Sequence, residues 1–144
     1  MQDDNYDVYV DAKILGRHDQ ITPKNAFVAY VVKDKGLEGI KELNVEETDD
    51  AECEAILFAI HALKGKLKRF TIFCDHQSVV YEATRDSNNT PSRNELINEI
   101  RKELAANSEI KLKLFEKNPA HTLLNRHLVD KRKELDMHKE VNTT

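Results

Sequence analysis

Three carboxylates in this sequence occupy positions from which they could bind a divalent metal ion. Asp75 directly follows the short apolar run RFTIFC, which predicts a strand. Glu52 lies in the first turn of a helix predicted over residues 51–63, and Asp11 lies in the alternating segment DVYVDAKI. Open α/β sheets bind ligands at the carboxyl ends of their strands, and hard cations such as Mg²⁺ prefer carboxylate oxygens. The pattern therefore predicts a divalent-metal site built from distant parts of the chain.

The elements that must position these acids follow from the periodicity of the apolar residues. Alternation predicts strands over residues 7–14, 26–33 and 40–45, and their short links favour an antiparallel meander with the third strand at an edge. The rest of the chain predicts, in order, a buried helix (51–63), a strand (69–74), a short helix (77–84), a helix ending near 106, a strand (110–115) and a helix (123–139). We expect capping boxes at Asp49 with Glu52 and at Ser92 with Glu95.

This order of elements predicts that the three acids converge. Helical crossovers should place the fourth and fifth strands parallel to the first. The helix that begins near Glu52 then runs antiparallel to the strands and starts at the edge where the fourth strand stops, beside Asp75. Asp11 lies on the first strand, the expected neighbour of the fourth. Glu54 shares the first helical turn with Glu52, so the residues alone leave two candidate glutamates.

Composition limits the classes of protein to which the chain can belong. The 144 residues are 40% hydrophobic and 33% charged, which predicts one globular domain over residues 1–144, with residues 1–6 and 140–144 frayed. The net charge of −4 means that a polyanionic partner requires local cations or metal ions. Cys53 and Cys74 are interpreted as small buried hydrophobes in a reducing compartment. No apolar run is long enough for a membrane span, so we expect a cytoplasmic protein without a membrane partner.

The chain resembles the type 1 ribonuclease H family across nearly its whole length. The segments that carry the resemblance are VYVDAK, ETDDAECEAI, FCDHQSVV and NPAHTLLNRHLVDKRKEL. The resemblance implies an α/β fold with a five-stranded mixed sheet of order 3-2-1-4-5, the first three strands antiparallel, and helices on both faces. It also implies a metal-dependent endoribonuclease that hydrolyses the RNA strand of RNA–DNA hybrids with two Mg²⁺ ions, or with Mn²⁺ in their place.

The resemblance also assigns roles to particular residues. It implies that four acids bind the metal ions and carry catalysis, which selects Glu52 over Glu54 and adds an acid on the last helix: Asp11, Glu52, Asp75 and Asp130. His121 occupies the position of a histidine that assists product release or proton transfer. The residues expected to contact the substrate are Gln77, Lys13, Thr48 and Arg126.

Several positions depart from the family pattern. Ala12 and Lys13 replace a glycine and a serine, and Lys13 either contacts a phosphate or faces solvent. Thr48 and Asp49 replace paired asparagines that meet the DNA strand, and we interpret Asp49 as a helix cap. His76 is interpreted as a surface histidine.

These departures leave a second hypothesis open. The chain could be a catalytically weak or inactive ribonuclease H-like module that binds nucleic acid or protein. An exonuclease of the same superfamily is a weaker alternative. Those enzymes usually carry a D-x-E pattern on the first strand, whereas here Asp11 is followed by Ala12 and Lys13. We expect a monomer, with a partner protein as one source of substrate affinity.

Overall fold

The computed structural model describes residues 5–15, 24–33, 35–85, 92, 94–115, 120 and 122–126. The elements follow one another in the predicted order: β1 (Asn5–Leu15), β2 (Lys24–Val32), β3 (Leu37–Val45), α1 (Thr48–Leu63), β4 (Arg69–Cys74), α2 (Gln77–Thr84), α3 (Glu95–Ala106) and β5 (Ile110–Leu114). Ala120 and residues 122–126 are also helical, and we call them the C-terminal helical segment. None of the helices in the described ranges is long and apolar enough to cross a membrane.

The five strands form one mixed sheet in the order β3-β2-β1-β4-β5, as predicted. The first three strands are antiparallel neighbours, whereas β4 pairs in parallel with both β1 and β5. The link between β2 and β3 contains Gly36 at φ 67°, a left-handed conformation that glycine adopts without strain. The predicted edge position of β3 is confirmed.

Helices cover both faces of the sheet, and the alternation along β2 shows how. Val28 and Val32 belong to the main core, which includes Ile56 of α1. Phe27 and Ala29, which flank Val28 along the strand, pack with Leu124 of the C-terminal helical segment in a separate cluster. Because successive strand side chains point to opposite faces, α1 and the C-terminal helical segment must lie on opposite sides of the sheet.

Some predicted boundaries were wrong because pairing partners extend the strands. Asn5 and Tyr6, expected to be frayed, belong to β1 and pair with Arg69 and Phe70. Strand β3 starts at Leu37 rather than at residue 40, since it pairs with β2 along nine positions up to Val32. Residues 1–4 and 140–144 lie outside the described part of the chain, as does the predicted last helix beyond residue 126.

Both predicted capping boxes were also wrong. Helix α1 is preceded by Glu47, whose side chain makes no capping hydrogen bond, so Asp49 lies inside the first turn. Helix α3 is capped by Asn94, whose side-chain oxygen accepts a hydrogen bond of 2.8 Å from the backbone N–H of Leu96. Ser92 instead accepts a hydrogen bond from the backbone N–H of Asn94 at 3.2 Å. An S-x-x-E spacing therefore did not identify the cap, because an asparagine closer to the helix took that position.

Candidate functional site

The parallel ladder between β1 and β4 aligns two of the predicted acids. Tyr9 pairs with Phe73, and the two rings stack with their centroids 5.3 Å apart. Asp11 lies two positions after Tyr9, and Asp75 lies two positions after Phe73. The register therefore brings both aspartates to the same end of neighbouring strands. Asp11 is buried, at 4% exposure, whereas Asp75 is exposed just beyond the end of β4.

Glu52 joins this site from the first turns of α1. Its side chain is only 7% exposed, and its Oε2 lies 3.7 Å from the Sγ of Cys74, which donates a hydrogen bond to it. One ligand atom each from Glu52, Cys74 and Asp75 lies within 4.8 Å of the other two. The helix start and the strand end thus meet as the element order predicted.

Cys74 is a site residue that the sequence analysis missed. We expected a buried hydrophobe, and the thiol is fully buried, but its sulfur lies among the acids. The signal in the sequence was its place directly before Asp75 at the end of an apolar strand. Burial and the neighbouring charge of Glu52 raise the pKa of the Cys74 thiol, so it is a neutral hydrogen-bond donor in this structure.

The electrostatics of the cluster favour a proton or a cation. Burial, followed by the negative charges of Asp11 and Asp75, raises the pKa of Glu52 from 4.5 to about 8, while the hydrogen bond from Cys74 acts in the opposite direction. Without a counter-charge, Glu52 therefore holds a proton near neutral pH. Oxygen donors from separate elements, crowded enough to retain a proton and open to solvent at Asp75, form a donor set that fits a hard divalent cation.

Glu54, the other candidate glutamate, does not belong to this group. Its side chain is half-buried, and its pKa is raised by burial while Lys41 lowers it. The structure thus brings Glu52, rather than Glu54, next to Cys74 and Asp75.

His76 connects the end of β4 to the start of α1. Its Nδ1 accepts a hydrogen bond of 3.3 Å from the backbone N–H of Val79, which caps α2. Its Nε2 lies 3.1 Å from Oδ1 of Asp49. The expectation of a plain surface histidine was wrong, and Asp49 pairs with this ring instead of capping its own helix. Asp50 is similarly engaged, since it accepts a hydrogen bond of 3.0 Å from Asn94.

The other predicted site residues lie further out or cannot be placed. Gln77 is exposed at the start of α2, and Lys13 is half-buried on β1, two positions beyond Asp11. Thr48 is the first residue of α1, and Arg126 is exposed in the C-terminal helical segment. Asp130 and His121 lie outside the described residues, so their roles stay predictions.

An acidic groove lies beside the site, between the starts of α1 and α3 and one side of α2. It has a volume of about 320 Å³ and is lined by Asp49, Ser78, Val79, Glu82, Ser92, Asn94 and Ile97. Among the described lining residues there are two carboxylates and no basic side chain, and this part of the groove therefore disfavours phosphate.

The strand order and the helices on both faces define a ribonuclease H-like fold. The sequence profile of the family described as "Reverse transcriptase-like" matches residues 29–127, well over half of the chain, and the protein belongs to this ribonuclease H-like family. A search of curated proteins returned no match.

Solved structures agree with this assignment. RNase H1 from the halophilic archaeon Halobacterium salinarum NRC-1 is 17% identical with a TM-score of 0.59, over 79% of this chain and 87% of that chain. LC11-RNase H1, solved in complex with an RNA/DNA hybrid, is 16% identical with a TM-score of 0.62, over 81% of this chain and 90% of that chain. The foamy viral protease-reverse transcriptase, solved in complex with dsDNA, is 13% identical with a TM-score of 0.61, over 76% and 80%. At these identities the likeness establishes the fold.

Proposed function

We propose that this protein is a metal-dependent endoribonuclease that hydrolyses the RNA strand of RNA–DNA hybrids. The observation that supports this proposal most directly is the meeting of Glu52 and Asp75 at the edge where β1 carries Asp11. The pKa of Glu52 is raised by burial and by repulsion from Asp11 and Asp75, and this is an expected property of a carboxylate cluster that works with cations. A protein of the same fold has been solved with an RNA/DNA hybrid, which supports this class of substrate.

The proposed ligands of two divalent ions are Asp11, Glu52, Asp75 and Asp130, with Mg²⁺ as the natural ion and Mn²⁺ as a substitute. Bound ions of this kind supply an activated water and stabilise charge on the leaving oxygen of a phosphodiester. Bound cations would neutralise the charge of the carboxylates and attract phosphate, which would let an acidic protein accept a polyanion.

The three described acids have different structural roles in the proposed site. Glu52 is held by α1 and by its hydrogen bond from Cys74, so its carboxylate has a defined orientation. Asp75 is the exposed member, which makes it the side from which cations and phosphate approach. Asp11 is buried on β1, and of the neighbouring charges it is the one that raises the pKa of Glu52 most.

The charge distribution suggests where the hybrid lies. The groove lined by Asp49 and Glu82 repels phosphate, so the substrate should run on the other side of Asp75. Lys13 projects from the same side of β1 as Asp11 and can meet a backbone phosphate there. Contacts from Gln77, Thr48 and Arg126 complete the proposed surface, and His121 is proposed to assist turnover. Hybrid recognition would use the minor groove, where 2′-hydroxyls mark the RNA strand.

One observation favours the second candidate function, a weak or inactive binding module. Asp49 and Asp50 place two carboxylates in the first turn of α1, where a helix N-terminus would otherwise favour a phosphate. Both are held by partners within the protein, His76 and Asn94. The two carboxylates weaken the attraction of this helix N-terminus for a phosphate, so a partner protein that supplies substrate affinity is part of our proposal.

The test is incubation of the purified protein with end-labelled RNA–DNA hybrid, duplex RNA, duplex DNA and single strands. We expect cleavage of the RNA strand of the hybrid with Mg²⁺ or Mn²⁺ and none with chelator or with the Asp75→Asn variant. Binding of hybrid without cleavage under every condition would instead support the binding module. Cleavage of duplex DNA or duplex RNA in preference to the hybrid would contradict the proposed substrate. Size-exclusion chromatography tests the expected monomer.

A further inference from the structure

We infer that Glu52, Cys74 and Asp75 form a binding site for a borderline or soft divalent cation, with Zn²⁺ as the biologically abundant example, in which the Cys74 sulfur is a direct ligand. We call this set of three donors the thiol site. It shares two acids with the proposed function and therefore rests on the same cluster. It adds a donor of different chemistry, which makes Zn²⁺ a competitor of the proposed Mg²⁺.

The distances within the thiol site match a tetrahedral ion. Sγ of Cys74 lies 3.7 Å from Oε2 of Glu52, and the donor atoms of all three residues lie within 4.8 Å of one another. In a tetrahedral zinc site with Zn–S of about 2.3 Å and Zn–O of about 2.1 Å, the sulfur and oxygen are roughly 3.6 Å apart. The sulfur and the glutamate oxygen already have this spacing. Only the exposed Asp75 carboxylate has to adjust, and solvent can occupy the fourth position.

The donor types give the selectivity. Mg²⁺ is a hard cation that prefers oxygen ligands and does not coordinate a thiol. Zn²⁺ and Co²⁺ accept both sulfur and oxygen, and Zn²⁺ stands above Mn²⁺, Fe²⁺ and Co²⁺ in affinity for sites of this kind. When the metal–sulfur bond forms, the S–H bond breaks and its proton passes to solvent, without any change of oxidation state. Zn²⁺ bound in this way occupies Glu52 and Asp75 and blocks their use by Mg²⁺.

The second cysteine provides a matched control. Cys53 is as completely buried as Cys74 and follows Glu52 directly in α1. It is not a member of the donor group that the described residues form, because successive residues of a helix point in different directions. Substitution of Cys53 therefore removes a buried thiol from the same region without removing a ligand.

The experiment uses Co²⁺ as a spectroscopic substitute for Zn²⁺, with the whole protein and without nucleic acid. We expect Co²⁺ to produce a sulfur-to-metal charge-transfer band in the near ultraviolet in the unaltered protein and in Cys53→Ala. Added Zn²⁺ should abolish the band. In Cys74→Ser, which keeps a hydrogen-bond donor beside Glu52, the band should be absent. The Zn²⁺ affinity of Cys74→Ser, measured by competition with a chromophoric chelator, should be weaker by at least about 10–100-fold. Loss of a residue that only hydrogen-bonds to a metal ligand already has an effect of this size.

Absence of the band from the unaltered protein, its loss in Cys53→Ala, or its retention in Cys74→Ser would each overturn the inference. The comparison of the unaltered protein with Cys53→Ala decides the matter even if Cys74→Ser does not fold. Because binding is read without substrate, the two proposals fail separately. Cleavage of hybrid with Mg²⁺ but no cobalt band would contradict only the proposed thiol site. A cobalt band without cleavage would contradict only the proposed nuclease activity.

Discussion

His76 Nε2 lies 3.1 Å from Asp49 Oδ1, and this contact ties the end of β4 to the first turn of α1. The other ring nitrogen caps α2 through the backbone N–H of Val79. Asp75 immediately precedes His76, and Glu52 follows Asp49 within one helical turn. One histidine ring therefore constrains the relative position of the two carboxylates that lie at the centre of the candidate site.

We expect His76→Ala to lower the free energy of unfolding by about 1–2 kcal/mol, because it removes a helix cap and a contact with Asp49. His76→Asn is the matched variant, since an asparagine can still cap α2 but is too short to keep the contact with Asp49. Urea unfolding of His76→Ala, Asp49→Ala and the double variant should give a coupling of about 0.2–1 kcal/mol, the range of partly exposed pairs. Strict additivity of the two substitutions would show that the contact does not form.

Glu52→Gln should abolish Mg²⁺-dependent cleavage of the hybrid, because the amide cannot replace a carboxylate ligand. The expected loss in kcat exceeds about 100-fold, which is the largest effect typical of residues that only hydrogen-bond to a metal ligand. Glu54→Gln is the matched control in the same helix and should keep most of the activity, since Glu54 lies outside the donor group. The reverse result, with Glu54→Gln inactive and Glu52→Gln active, would mean that the wrong glutamate has been assigned to the site.

The raised pKa of Glu52 predicts how stability depends on pH in the presence of chelator. Burial and the charges of Asp11 and Asp75 raise this pKa from 4.5 to about 8, so the folded state binds a proton that the unfolded state has released. The contribution of the neutral acid is fully present below pH 4.5 and is lost as the pH rises to about 8. The slope is at most about 1.4 kcal/mol per pH unit.

Urea unfolding between pH 4.5 and 9 measures this effect. Glu52→Gln should remove most of the dependence and be more stable than the unaltered protein at pH 9, because no charge has to be buried. Glu54→Gln should leave the dependence largely in place. Divalent cations should raise the stability of the unaltered protein most above pH 8, where Glu52 is ionised and can bind them. Equal pH profiles for the unaltered protein and Glu52→Gln would contradict the assignment.

Gly39 is expected to tolerate no side chain. It lies opposite Tyr30 in the β2–β3 ladder, and a Cβ at this position would lie 2.5 Å from the Tyr30 ring. That ring packs edge-on against Phe58 of α1, with centroids 5.1 Å apart, so it has little room to move. Gly39→Ala should therefore destabilise the protein by about 1–3 kcal/mol, as overpacked cores do.

Gly65→Ala is the control for this measurement. No atom lies within 4 Å of a Cβ built at Gly65, so its effect should stay within about 0.5 kcal/mol. The midpoints of urea unfolding provide the comparison. A Gly39→Ala variant as stable as Gly65→Ala would show that β3 shifts to accommodate the methyl group.

The local pattern of the chain was enough to predict the strands and the convergence of the three acids, whereas the full order of the sheet was implied by the resemblance to the ribonuclease H family. Alternation along β1 and β2 identifies strands and their faces because strand side chains alternate with a period of two. Asp75 could be placed at the site because an apolar strand ends directly before it. The connection from α1 to β4 is short, so Glu52 had to start its helix at the edge where β4 stops.

Tertiary structure decided the finer features of the site, because they depend on distances between groups far apart in the chain. Periodicity showed that Cys74 is buried, but only the packing of α1 against β4 places its sulfur beside Glu52, 22 positions away in sequence. The contact between His76 and Asp49 also depends on tertiary structure. The sequence predicted that Asp49 caps its own helix, but in the fold it pairs with the His76 ring. The pKa of Glu52 is raised mainly by burial in the fold and by the charges of Asp11 on β1 and Asp75 just beyond β4, whereas the nearby Asp49 contributes least.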